Sequence, residues 1–408
     1  MEYRGIEYLR NKLNTKAVRV NLRYQYYEMK NAMKSFNVVI PQEWKWTSEV
    51  LGWSAKAVDS IADRLVFRDF ADDNFNLGEI FNMNSRDVFI DSALLSALLS
   101  SCSFIYISAD EDGYPRLQVI DGGNGTGIID PITMMLHEGY AVLERDADTD
   151  QPTLEAWFKT GSTTYYEKGK EAYTIPNDAP YPLLVPIIHR PDARRPFGHS
   201  RISRACMNIQ QAALRTLQRS EISAEFYSFP QKYVTGLSQD AEAIDKWRAT
   251  ISSFLQFEKD EDGDKPQLGQ FTQQSMSPYT EQIRMLAGLF AGETGLTLDD
   301  LGFITDNPSS AEAIKASHET LRLAVRKAQR DFGVGLLNTG FLAACVRDQF
   351  PYLRRQLYLT RPKWEPIFEP DAAMLSGIGD GAIKINQAVP GYFGPGNLRD
   401  LTGVESDE

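Results

Sequence analysis

The chain is poor in the residues that build most reactive centres. Its 408 residues include 3 cysteines and 4 histidines. Cys102, Cys206 and Cys345 lie far apart in apolar, helix-like surroundings. That excludes a C-x-x-C redox or zinc motif and fits buried thiols kept reduced. His137, His189, His199 and His318 are equally scattered, with no carboxylates spaced to complete a metal site. G-x-S-x-G, H-E-x-x-H and G-x-x-x-x-G-K do not occur, so no local motif supplies a nucleophile, a zinc pair or a phosphate loop. No catalytic residue, cofactor or metal is expected. Long hydrophobic runs are missing as well: nothing approaches the run of about 18 apolar residues that spans a membrane, and Met1-Glu-Tyr-Arg leads into polar helical sequence rather than a secretory leader. Positive charge is in deficit, with 43 Lys and Arg against 55 Asp and Glu, a net of −12. Such a balance opposes tight general binding of nucleic acid but not the passage of DNA along a surface. At 42% hydrophobic and 24% charged residues, the composition is that of a globular chain of about two or three domains.

What the sequence has is a long helix. Ser200 to Phe229 carries apolar residues at Ile202, Ala205, Ile209 and Ala212, with a neighbouring row at Cys206, Ala213, Leu217 and Ala224. Arg201, Arg204, Asn208, Gln211, Arg215 and Arg219 form a polar stripe. Ser200 is placed to cap the start, and Pro230 ends the helix. The span is about 45 Å. Its apolar face is narrow, and Ala205, Ala212 and Ala213 are small, so it is expected to pack beside other long helices.

The rest falls into order around it. Residues 1–35 read as a basic, tyrosine-bearing helix, a composition that can bind nucleic acid but reads first as an amphipathic helix docked by its apolar face with the basic face in solvent. Trp53 to Phe67 is a second amphipathic helix, and Ser85 to Ser101 a third that runs into a strand. Between 104 and 185 the period drops to two, and strands are expected at 104–109, 116–120, 139–145, 154–159, 163–167 and 172–175, forming an antiparallel meander. Gly122-Gly-Asn-Gly-Thr-Gly fits neither nucleotide-loop spacing and reads as a turn. After the long helix come a strand at 232–235, a helix at 238–257, an acidic turn (Glu258, Asp260, Glu261, Asp262, Asp264) and a strand at 267–272. A helix at 277–295 precedes the loop Thr297 to Pro308. That loop holds Asp299, Asp300 and Asp306, no Lys or Arg, and the apolar Leu301, Phe303 and Ile304 around Gly302. Ser309-Ser-Ala-Glu312 is a capping box opening a helix that runs to about Asp348, with Gly333, Gly335 and Gly340 expected to kink or break it. His318, Arg322, Arg326 and Arg330 recur every four residues along it, a basic stripe. Past Pro351 the chain turns Pro- and Gly-rich, with short helices expected at Asp371 to Ile378 and Gly396 to Leu401. The class is α+β.

In this order the segments resemble the portal proteins of tailed double-stranded DNA bacteriophages, the siphophage-type family. WSAKAVDSIADRLVF is similar to the family's early helix, and FNMNSRDVFIDSALLSALLSSCSFIYI to its helix-into-strand segment. RRPFGHSRIS resembles the entry into the stem helix, and EFYSFPQKYVTG the exit from it. EQIRMLAGLFAGETGLTLDDLGF followed by NPSSAEAI resembles the second stem helix, tunnel loop and next helix. The resemblance implies a portal fold. It has a wing at 1–195, stem helices at 196–229 and 277–296, a β-α-β clip at 230–276, a tunnel loop at 297–308 and a long kinked wing helix at 309–350. A C-terminal segment, 351–408, stands for a short or absent crown. It implies a non-enzymatic ring of about twelve copies at one capsid vertex, a virion component assembled in the bacterial cytoplasm. Double-stranded DNA would be packaged and ejected through it without sequence reading. Implied partners are the terminase large subunit, a head-completion or adaptor protein, and the major capsid and scaffolding proteins; no membrane is involved. The tunnel loop would form the channel constriction, the acidic turn the clip rim that docks terminase or adaptor, and the basic stripe a channel or interface feature. Two alternatives are a DNA-processing enzyme encoded with packaging genes, which needs clustered carboxylates for metal, and a tail or baseplate scaffold.

Overall fold

The computed structural model describes residues 3–34, 49–228, 232–235, 267–270, 275–303, 316–368, 370 and 372–404. In chain order the elements begin with α1 (Ile6–Tyr27), α2 (Trp53–Ala62), β1 (Phe67–Ala71), α3 (Leu77–Met83) and α4 (Arg86–Ser100). Eight strands follow: β2 (Cys102–Ala109), β3 (Pro115–Ile120), β4 (Gly125–Ile129), β5 (Leu136–Arg145), β6 (Pro152–Lys159), β7 (Ser162–Glu167), β8 (Lys170–Pro176) and β9 (Leu184–Ile188). Then come α5 (Arg204–Ser228), β10 (Lys232–Thr235), β11 (Gln267–Gln270), α6 (Ser277–Thr294), α7 (Glu319–Arg347), β12 (Arg361–Trp364), α8 (Ala372–Ala388) and α9 (Pro395–Thr402). Helix and sheet are mixed, as an α+β class requires. Two compact units divide the chain: Met1–Asn31, Gly52–Met207 and Phe290–Glu408 make the larger, Ala32–Leu51 and Asn208–Leu289 the smaller.

In the larger unit the expected single meander is two antiparallel sheets. One has the strand order β3-β2-β9, the other β4-β5-β6-β7-β8. β2 is buried from Cys102 through Ile107, because α4 and α7 both pack on it. A strand covered on both faces has no need to alternate, and in that run only Ser103 and the Tyr106 hydroxyl are polar. β4 starts inside the glycine-rich segment read as a turn; only its first half turns. β8 is exposed along its whole length and carries Lys170 and Glu171, as suits an edge strand. The hydroxyls of Tyr106 on β2 and Tyr165 on β7 share a hydrogen bond of 2.6 Å that ties the two sheets together.

α1 is held by two buried carboxylates. Glu138 is 1% exposed and accepts from the Arg4 and Gly5 N–H groups, both at 2.9 Å, and from Trp157 Nε1 at 2.8 Å. An acid at the free N–H groups of a helix start satisfies donors and complements the helix dipole. Glu155 accepts from Arg10 Nε and Nη2, at 3.0 and 2.7 Å, and from the Tyr140 hydroxyl. Leu9 and Leu13 pack on Tyr140 and Val142.

α7 runs as one helix of 29 residues, so Gly333, Gly335 and Gly340 do not break it. Those glycines serve close packing instead. A Cβ would stand 2.7 Å from Pro362 at Gly333, 2.7 Å from Ile187 at Gly335 and 2.8 Å from Leu77 at Gly340. Nor does α8 stop at the expected Ile378; it continues to Ala388. The capping box at 309–312 lies outside the described residues. All three cysteines are buried and unpaired, as read, and burial pushes the Cys345 thiol up to about 11.

His189 follows β9 and is 2% exposed. Its Nδ1 lies 2.7 Å from the His199 carbonyl; a carbonyl only accepts, so Nδ1 carries the proton. Burial, reinforced by Arg201, Arg190 and Lys327, drives the imidazole down to about 3. The unfolded chain therefore binds a proton that the native state refuses. The stabilisation from a neutral His189 is complete above about pH 6.5 and erodes by up to about 1.4 kcal/mol per unit as pH falls toward the folded value. In His189→Asn, which keeps a donor near Nδ1 and cannot ionise, urea midpoints measured at pH 7.5 and 5 should converge. An unaltered pH slope would show that other groups carry it.

Candidate functional site

The described part of the loop after α6 is a built turn. Leu296 N–H returns to Ala291 O at 3.1 Å and the Leu296 side chain is buried, closing the helix. Thr297 and Asp300 then hold each other. Asp300 Oδ2 accepts from the Thr297 N–H and hydroxyl, both at 2.9 Å, and Thr297 Oγ1 accepts from the Asp300 N–H at 3.2 Å. A single 3-10 turn, Asp299–Leu301, sits inside this clasp and ends at Gly302 with φ 87°, a left-handed value suited to glycine. His318 Nε2 reaches Asp300 Oδ2 at 3.3 Å.

This changes the role of the acids. Burial acting alone would raise the Asp300 carboxyl, but the Thr297 hydrogen bonds and His318 outweigh it and hold it below its usual range. Its support for the turn is present above the ordinary carboxylate pKa, about 4, and is lost as pH falls through the lowered value. Asp300 is thus a structural acid, and Asp299 is the exposed one. Leu301 and Phe303 are partly buried. Ile304 and Asp306 lie outside the described residues, as do Glu258, Asp260, Glu261, Asp262 and Asp264.

The basic stripe is partly neutralised within the chain. His318 faces Asp300, and Arg322 makes a two-pronged pair with Glu319 at 2.7 and 2.6 Å. Arg326 and Arg330 are exposed.

α5 begins at Arg204 rather than Ser200. The cap is Ser203, whose hydroxyl accepts from the Cys206 N–H at 3.1 Å; Ser200 instead closes a small turn onto Ile202 N–H at 3.0 Å. The polar stripe read along this segment divides. Arg201 and Gln211 are buried, while Arg204, Asn208 and Arg219 are exposed. Gln210 and Gln211 donate to the carbonyls of Leu51 and Ala32 at 2.7 and 3.0 Å. Ala213 is buried within the chain, whereas Ala205 and Ala212 are half-buried. The Ser223 and Tyr279 hydroxyls join α5 to α6 at 2.8 Å.

One surface escaped the sequence reading. α6 exposes Met285 and Leu289, at 57% and 55%, and its Gly288 and Gly292 have nothing within 4 Å of where a Cβ would stand. Glycine inside a helix costs about 0.5–1 kcal/mol relative to alanine, so two of them four residues apart on an open face are a signal that periodicity analysis passes over.

Among the described residues no group of three or more His, Cys, Asp or Glu could hold a metal ion, and no helix is long and apolar enough to cross a membrane. No family model matches the chain. It is similar to the portal protein of Mycobacterium phage L5, with 24% identity over 335 residues, 76% of this chain and 67% of that protein. The portal protein of Mycobacterium phage D29 matches with 24% identity over 333 residues and the same shares. These relatives bear out the resemblance to phage portal proteins. Among solved structures the chain is similar to a chain of the virion of a native gene transfer agent particle. There the TM-score is 0.46 and the identity 12%, with 95% of this chain and 99% of that one covered. A chain from the neck of the native particle, computed with C12 symmetry, gives a TM-score of 0.44 and 13% identity, covering 86% and 90%.

Proposed function

We propose that the chain is a portal subunit: about a dozen copies close a ring at one capsid vertex, and double-stranded DNA is packaged and ejected through its channel. The observation that carries this reading is the similarity to two phage portal proteins along 76% of the chain. The exposed Met285 and Leu289 beside the open glycines of α6 agree with it, as do the half-exposed Ala205 and Ala212 of α5. Head-to-tail packing of one such helical pair on the next buries these faces, and closes when the rotation closes. In this reading the wing is 1–195, the stem α5 and α6, and the clip 230–276, which docks the terminase large subunit and then an adaptor protein through its acidic turn. The wing meets the capsid and scaffolding proteins. The subunit supplies no catalysis. Light scattering on the purified protein after size exclusion, with negative-stain images, tests the reading. A mass near twelve times the 46.0 kDa of the chain and annular particles with a central hole are expected; a monomer at packaging-relevant concentrations, or a tube, defeats it.

The loop after α6 then belongs at the channel constriction. Its one exposed acid in the described turn, Asp299, repels phosphate and keeps the bore from gripping the duplex, while the Thr297–Asp300 clasp holds the turn in shape. Asp299→Lys, which leaves that clasp intact, is expected to slow packaging in a defined in vitro reaction at low salt. The defect should ease as salt screens the new attraction. Normal low-salt rates would place the loop away from DNA.

A further inference from the structure

A pocket of about 610 Å³ opens between α1 and the segment that leads from β9 toward α5. Among the described residues its lining includes Lys12, Lys16, Arg19, Arg23 and Arg195, and neither Asp nor Glu. In a chain of net charge −12, five cations around one concavity without an acid among them need a reason. The pocket is also built rather than incidental. Lys12 Nζ is anchored on the Gly127 carbonyl at 2.6 Å and Lys16 Nζ on Cys102 Sγ at 3.1 Å. The two ammonium groups lie 5.1 and 5.9 Å from the centre of the Phe197 ring. Each ammonium has three donors, so these anchors aim the groups without exhausting them. Arg23 is half-buried, and its Nε is buried with no hydrogen-bond partner among the described residues. Arg19 and Arg195 stand exposed at the rim. The charges feel one another: burial first, then Lys16, holds the Lys12 ammonium below its ordinary range, and burial first, then Arg19 and Arg195, does the same to Arg23. A bound anion would offset both the repulsion and the unmet donor.

We infer that this pocket is a binding site for a phosphate group, held between the lysine ammonium groups and the guanidinium forks of Arg23 and Arg195. Phosphate fits better than carboxylate. It gathers up to two charges on one tetrahedral centre, which converging cations can share, and guanidinium forks match its oxygens two at a time. The phosphate comes either from a small free polyphosphate or from the backbone of DNA. The site stands whether or not the portal reading holds.

The full chain is titrated with inorganic pyrophosphate by isothermal calorimetry, and with labelled duplex DNA of about twenty base pairs by fluorescence anisotropy. Saturable pyrophosphate binding is expected, weakened about tenfold or more in Arg23→Gln and in Arg195→Gln and unchanged in Lys170→Gln, an exposed control on β8. Arg195 is at the rim, so its variant keeps the fold even if Arg23→Gln does not. DNA binding that pyrophosphate displaces, and that Arg195→Gln also weakens, identifies backbone phosphate as the source. Pyrophosphate binding that DNA leaves untouched identifies a small free ligand. No heat of binding, equal affinity in wild type and Arg195→Gln, or a polyglutamate peptide that binds there undisturbed by pyrophosphate would each overturn the assignment.

Discussion

Arg201→Ala is expected to lower the unfolding free energy by about 3 kcal/mol, the sum of an unmet buried carbonyl and a lost buried stem. Arg201 is 9% exposed. Its Nε donates to the Ala57 carbonyl at 3.1 Å in α2, and its Nη2 donates to the Thr294 carbonyl. Thr294 is the last residue of α6, where carbonyls lack helical partners and the dipole is negative. One guanidinium therefore caps α6 and fastens it to α2 just ahead of α5. Burial pulls its pKa down to about 10, still far enough above neutrality to keep the charge. Arg201→Lys retains the charge but not the fork that reaches two carbonyls, so it should recover only part of the loss. Urea unfolding of all three proteins measures this, and an alanine variant within about 0.5 kcal/mol of wild type would show that the bridge contributes nothing.

The second large effect is expected at Gly198. Its φ is 73°, and a Cβ there would stand 2.1 Å from the His189 carbonyl and 2.9 Å from Ile188 Cγ2. Left-handed backbone costs a residue with a Cβ about 1–2 kcal/mol. The contact with a backbone oxygen cannot be relieved by turning a side chain. Gly198→Ala must therefore displace a clasp in which His199 N–H donates to the His189 carbonyl at 2.9 Å and His189 Nδ1 donates to the His199 carbonyl at 2.7 Å. The same stretch places Arg201, whose N–H donates to Leu98 O at 2.8 Å. A loss of about 3 kcal/mol or more is expected, with a lower soluble yield and, if the ring forms as proposed, a smaller assembled fraction by size exclusion. A variant with wild-type midpoint and assembly would mean that the clasp yields at little cost.

Much of the fold could be read from periodicity. The apolar spacing of α4 and the alternation of β5 to β7 are local consequences of burying one face, so each was found within a few residues of its limits; α2 was found too, but it ends at Ala62 rather than Phe67, which opens β1. The order of segments was likewise enough to find the resemblance to portal proteins that relatives at 24% identity bear out. Other features depend on partners distant in sequence. β1 pairs with β12 across almost the whole chain, Phe67 opposite Trp364, and neither strand is distinctive alone. β9 is short and uniformly buried, a pattern that gives no period.

Composition and local pattern determined most of the described helices, most strands, the lack of a local catalytic motif and the resemblance to portal proteins, but not α3. Tertiary structure alone decided that Gly333, Gly335 and Gly340 fit neighbours instead of breaking α7, since a glycine's meaning depends on what approaches it. It also decided that Arg201 caps a helix while Arg204 meets solvent, and that Asp300 braces a turn while Asp299 is exposed. Adjacent residues of one charge look alike in sequence; burial and the partners that come from elsewhere in the chain separate them, because a charge removed from water must find its hydrogen bonds within the fold.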